Sequence, residues 1–144
     1  MPPDVQDTIQ ALAQHGKNGK IEREYLDPPA NDSGDEIGVM TFTYSNDEDV
    51  GALIQKLVED MTGLLDSGTC VRQGDDLFVA LCENYDQTTL NYDDYDDGTK
   101  VGVTVTHTGN GPCAIQLVMD HAAQVDFFAE GEIQVRDYTP PSSC

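Results

Sequence analysis

The sequence predicts an α+β chain, a two-layer α/β sandwich in which an antiparallel sheet carries its helices on one face. Three observations predict it. Ile37 to Tyr44 alternates, with Met40, Phe42 and Tyr44 on one face and Val39, Thr41 and Thr43 on the other, the period-two signature of a strand. Directly after it, within Asp47 to Asp66, Val50, Leu53, Ile54, Leu57, Val58, Met61, Leu64 and Leu65 recur at the three-and-four spacing that gathers them on one helical face. The order strand, helix, strand then repeats further along the chain. Two right-handed βαβ halves of this kind join into a ferredoxin-like, split βαβ arrangement with two helices on one face of the sheet. An N-terminal helical segment precedes it. The chain divides accordingly into 1–36, an N-terminal helix with an exposed acidic, proline-bearing loop, and 37–144, a single α/β-sandwich domain. At 144 residues the whole is the size of one domain.

Taken in order, residues 4–15 predict a short helix with Val5, Ile9, Leu12 and Ala13 on one side, ending at Gly16 and packed on the outside of the domain. Lys17 to Arg23 holds three of the seven basic residues and reads as a solvated turn. Asp27 to Asp35, rich in Pro, Asp, Asn and Gly, reads as an exposed loop. Its Asn31-Asp32-Ser33 is a glycosylation acceptor sequence of the kind that recurs by chance. After the first strand, Ser45 and Glu48 predict a capping box for the long helix, Asp47 to Asp49 complement its dipole, and Gly68 takes the left-handed position beyond its end.

Thr69 to Gln73 and Leu77 to Glu83 flank Gly74-Asp75 as a hairpin or one interrupted strand. Leu77 to Leu81, apolar without alternation, reads as a central strand covered on both faces. Asn84 to Lys100 reads as an acidic, tyrosine-bearing loop. Val101, Val103 and Val105 alternate with Gly102, Thr104 and Thr106 as a clean strand, broken by Gly109 to Pro112. Cys113 to Phe127 fits two descriptions. Ile115, Leu117 and Met119 alternate as a strand would, whereas Gln116, Asp120 and Gln124 form a polar helical stripe and Pro112 suits a first helical turn. Helix is preferred. Glu132 to Tyr138 predicts a last strand, with Ile133 and Val135 inward, before the extended Pro140-Pro141-Ser142-Ser143-Cys144 tail.

Charge and cysteine narrow the function classes. A net charge of −20, from 27 acidic against seven basic residues, opposes binding to nucleic acid and to anionic lipid. Solubility, high salt, acid or a cationic partner would each account for it. No apolar run approaches the roughly 20 residues of a membrane span, so no transmembrane segment is expected. The cysteines, Cys70, Cys82, Cys113 and Cys144, are even in number and far apart, unlike the close pairs of zinc or redox motifs. They predict two disulfides and hence an oxidising, secreted setting, the chain reading as a mature form. Of the three connectivities, Cys70 with Cys82 and Cys113 with Cys144 is preferred, the second tethering a tail that would otherwise fray.

Candidate chemistry is sparse. Asp93, Asp97 and Gly98 match part of an EF-hand loop, but Tyr95 stands where the second ligand should be and Thr104 where the bidentate glutamate should be. His15, His107 and His121 fall on different elements. His107, at a strand end, and His121, beside Asp120, are the pair that could meet, but no nucleophile elbow, metal-ligand run or phosphate loop accompanies them. No catalytic residue, metal or cofactor is assigned.

The Tyr44-Ser45-Asn46-Asp47-Glu48-Asp49 entry to the helix, Leu64 to Cys70 leading from its end to a cysteine, and the final strand closing on Cys144 together resemble the small secreted α/β-sandwich proteins of fungi, the killer toxins and related effectors. The resemblance is one of organisation over 38–144, and the acidity departs from several basic killer toxins. It implies a secreted toxin-like or effector-like protein that binds a host or competitor target, a protein or cell surface; the lack of a catalytic constellation adds the expectation of no catalysis, and a monomer is expected. Two other readings stand beside it: an acidic inhibitor or immunity-type protein that mimics a polyanion, and an intracellular enzyme or ligand-binding domain from a salt-adapted organism.

Overall fold

Alternation along the two central strands decides which face of the sheet is covered. In the computed structural model, which describes residues 3–68, 70, 75–133 and 138–144, β2 (Gly38–Ser45) pairs antiparallel with β4 (Val101–Gly109) along its whole length, Phe42 opposite Thr104. Val39, Thr41, Thr43, Val103, Val105 and His107 lie on the helical side, where Val103 joins the main core. Met40, Phe42 and Tyr44, the more apolar set of β2, therefore turn to the other side. There the Phe42 ring stacks on Tyr44 at 4.6 Å and meets Tyr95 edge-on at 4.9 Å.

The sheet order is β1-β2-β4-β3, with β1 (Glu22–Tyr25) and β3 (Thr88–Asp96) at the edges and every neighbour antiparallel. β2 and β3 thus run in the same direction with β4 inserted between them. Helical chain crosses from one to the other, which is the split βαβ unit. The place beside β2, where a ferredoxin-like fold puts its final strand, is held by β1. The strand expected at Glu132 to Tyr138 lies in large part at 134–137, outside the described residues, and Glu132, Ile133 and Tyr138 are not in a strand.

The remaining elements are α1 (Pro3–Lys17), α2 (Glu48–Asp66), α3 (Asp76–Glu83) and α4 (Pro112–Ala129). α2 and α4 both pack on β2 and β4, α1 packs on α2 and α4, and α3 packs on α4. Segment 1–36 consequently shares both core and sheet with 37–144. α1 does not sit outside the domain: Leu12 is 1% exposed and clusters with Val50, Ile54 and Val103. The solvated turn expected at Lys17 to Arg23 ends early, because Ile21 is buried and strand β1 begins at Glu22.

The entry to α2 is capped two residues later than expected. Asp47, not Ser45, is the cap, its carboxylate accepting from the amides of Asp49 (3.0 Å) and Val50 (3.3 Å), while the Ser45 hydroxyl accepts from the Asp47 amide. Those amides hold the Asp47 carboxyl below the usual aspartate range, that of Val50 most. Gly68 takes the left-handed conformation just past the helix, as expected.

Two stretches differ from expectation for identifiable reasons. Leu77 to Leu81 belongs to helix α3, not to a strand. Its Leu77, Ala80 and Leu81 pack on Leu117 and Val118 of α4, and its Phe78 and Cys82 pack with Leu65 of α2, so burial on two sides erases the polar stripe that marks an amphipathic helix. The buried Asp75 caps it, accepting from the Phe78 amide at 3.1 Å. Of the partner strand expected at Thr69 to Gln73, Thr69 and 71–73 lie outside the described residues. Asn84 to Lys100 is not a loop but a 3₁₀ turn at Tyr85–Gln87, edge strand β3 and a tight hairpin into β4. Only Thr88, Leu90 and Tyr92 of β3 are half-buried; its other positions face solvent and carry the acids. Cys113 to Phe127 resolves as helix, with Pro112 in the first turn of α4.

Candidate functional site

α2 and α4 both pack on the sheet but make little contact with each other, and between them lies a cleft of about 200 Å³ partly open to solvent. Its walls are Leu57, Val58 and Met61 of α2 and Val118, Val125 and Phe128 of α4, completed by Ile9 and Leu12 of α1 and Phe78 of α3. Thr41, Thr43, Val103, Val105 and His107 form the floor. The α2 stripe read from the sequence is real, but it does two jobs. Val50, Ile54 and Leu65 are buried, whereas Leu53, Leu57, Val58 and Met61 are only partly so. Such half-covered apolar walls around a few polar groups are the usual make-up of a ligand site.

His107 and His121 do come together, both lining this cleft. His107 is 4% exposed, with Tyr85 edge-on to its ring and Val39 and Leu90 as cross-strand neighbours. Its Nε2 has no hydrogen-bond partner among the described residues. Burial, reinforced by the charge of His121, pushes its pKa down to about 3, so the imidazole is neutral at any ordinary pH. His15 lies apart from them on α1.

One polar cluster at the cleft edge was not anticipated. Arg23, on the helical side of edge strand β1, donates from Nε to Asp126 (2.5 Å), from Nη1 to the Thr43 hydroxyl (3.0 Å) and from Nη2 to the Ala122 carbonyl (3.2 Å). The Tyr25 hydroxyl donates to the other Asp126 oxygen at 2.6 Å. This ties β1 to α4. The signal was the alternation of Glu22, Arg23, Glu24 and Tyr25, too short to separate from a turn.

The partial EF-hand match is hairpin chemistry. Asp97 accepts from the amides of Thr99 and Lys100 and from the Thr99 hydroxyl, with Gly98 left-handed, and the amides, Lys100 first, hold its carboxyl far below the usual range. Among the described residues no group of three or more His, Cys, Asp or Glu side chains is placed to hold a metal.

The cysteines form Cys70–Cys82 and Cys113–Cys144, the preferred pairing, with Cα atoms 5.4 and 5.0 Å apart. The first joins the segment after α2 to α3, and the second joins the C-terminal residue to the first turn of α4. The Tyr138 hydroxyl donates to Asp120 of α4 and holds the same tail. No helix among the described residues is long and apolar enough to cross a membrane. Comparison with family models, characterised proteins and solved structures finds nothing that matches this chain.

Proposed function

We propose that this is a secreted, toxin-like or effector-like protein that acts by binding without catalysis, and that the cleft between α2 and α4 is its ligand site. The observation that carries the reading is the lining itself: mostly apolar side chains, with threonines, Gln124, Arg23, His121 and the neutral imidazole of His107 among them, and no carboxylate or thiol among the described lining residues. That is chemistry for holding a molecule. The two disulfides support secretion, since such bonds persist in oxidising compartments and are rare in the cytosol. They also weigh against an intracellular protein of a salt-adapted organism.

Thiol titration of the denatured, unreduced protein taken from its source cells tests the compartment, with no free thiol expected. Four thiols would remove the secreted reading. Chemical-shift mapping with small apolar probes tests the site, with perturbations expected at Leu57, Val105 and Phe128. Shifts confined to other surfaces would move the site elsewhere.

A second reading, an acidic inhibitor that binds a basic partner, draws on the open face of the sheet. There the Lys100 ammonium lies 4.8 Å from the centre of the Tyr44 ring, whose hydroxyl donates to Glu24 at 3.4 Å, so an aromatic ring already receives a cation of this chain. Its mark would be binding of a lysine-rich peptide that is lost at high salt.

A further inference from the structure

We propose that the cleft selects a small, uncharged, amphipathic molecule, an alcohol whose hydroxyl pairs with Nε2 of His107 while its apolar body lies between α2 and α4. This rests on the cleft being the ligand site.

Size, charge and hydrogen bonding each restrict the ligand. A buried cavity of about 150 Å³ is enough to hold benzene, so the present 200 Å³ accommodates a body of roughly eight to ten heavy atoms. A carboxylate would enter a protein of net charge −20 and meet a neutral imidazole. Arg23, which also lines the cleft, is already committed to Asp126, Thr43 and the Ala122 carbonyl. A plain hydrocarbon would fill the space but leave Nε2 buried without a partner, an arrangement that costs free energy. A hydroxyl both donates and accepts, so it satisfies Nε2 in either tautomer of the ring.

The test uses the intact, disulfide-bonded protein and three probes of one shape: phenethyl alcohol, ethylbenzene and phenylacetate. Titrations followed by amide shifts of cleft residues give the affinities, and the imidazole ¹⁵N shift of His107 reports the hydrogen bond without any substitution. The alcohol is expected to move the His107 Nε2 resonance and ethylbenzene to leave it in place. In His107→Leu the ratio of alcohol to hydrocarbon affinity is expected to fall about tenfold, the worth of one hydrogen bond. Binding of both neutral probes with an unmoved His107 resonance would overturn the selection for a hydroxyl and leave the cleft as a site. Phenylacetate binding as well as the alcohol would overturn the selection for an uncharged ligand. Failure of all three to shift cleft resonances would remove the ligand site as well.

Discussion

His107 carries a cost that pH makes visible. The folded protein keeps its ring deprotonated down to about pH 3, whereas the unfolded chain takes up the proton near the ordinary value of 6.5. Between those values the unfolded state binds more protons, so stability is fully present above 6.5 and is lost as pH falls through the window. The slope approaches about 1.4 kcal/mol per pH unit for one such group. Urea denaturation from pH 7 to 4 is expected to show it, and His107→Leu to lack it; equal slopes in the two proteins would show that the histidine does not titrate in this way. Asp47 acts in the same sense but lower, since its carboxyl, depressed by the Val50 and Asp49 amides, loses its contribution only below about 4. Sequence could show that the start of α2 was rich in caps. It could not say which of Ser45 and Asp47 would do the capping, because that depends on where β2 releases the chain.

At the scale of single elements, α2 owes its position to one glycine. A Cβ on Gly51 would lie 2.4 Å from Cβ of Val101 and 2.5 Å from its carbonyl oxygen, so the helix rests directly on the first residue of β4. Gly63, in the same helix, has open space around it. Gly51→Ala is therefore expected to destabilise by roughly 1–3 kcal/mol despite the better helix propensity of alanine. Gly63→Ala is expected to stabilise by about 0.4–1 kcal/mol. Thermal melts of the two variants check the pair, and a gain in both would mean that α2 can lift from the sheet without loss. α2, with one solvated face, and β4, whose valines alternate with glycine and threonine, were legible because their periods survive in the sequence. α3 was not, since α4 and Leu65 of α2 cover it on two sides, and β3 was not, since its acids obscure the half-buried Thr88, Leu90 and Tyr92. The cleft was beyond sequence altogether: the same apolar stripe on α2 would serve a closed core, and only its lack of close contact with α4 makes it a wall.

Over the whole molecule, a charge of −20 on one small domain holds carboxylates closer together than the unfolded chain does. Salt should relieve this. Raising sodium chloride from 0.1 to 1 M shortens the screening length from about 10 Å to about 3 Å, and the urea midpoint at pH 7 is expected to rise. A fall would mean that specific ion pairs, such as Arg23 with Asp126, outweigh the repulsion. The acids of β3 give that screening a second effect. Asp93, Asp94 and Asp96 are exposed on what is, among the described residues, an edge strand, and like charges there are expected to keep a second β3 from docking. Replacing the three with asparagine is expected to produce strand-added assemblies, seen as rising light scattering and thioflavin fluorescence at concentrations where the parent stays monomeric. Parent and variant behaving alike would place the protection elsewhere. The same salt that firms the individual fold thus weakens the guard between molecules, so this protein should reach its greatest stability where it is closest to self-assembly.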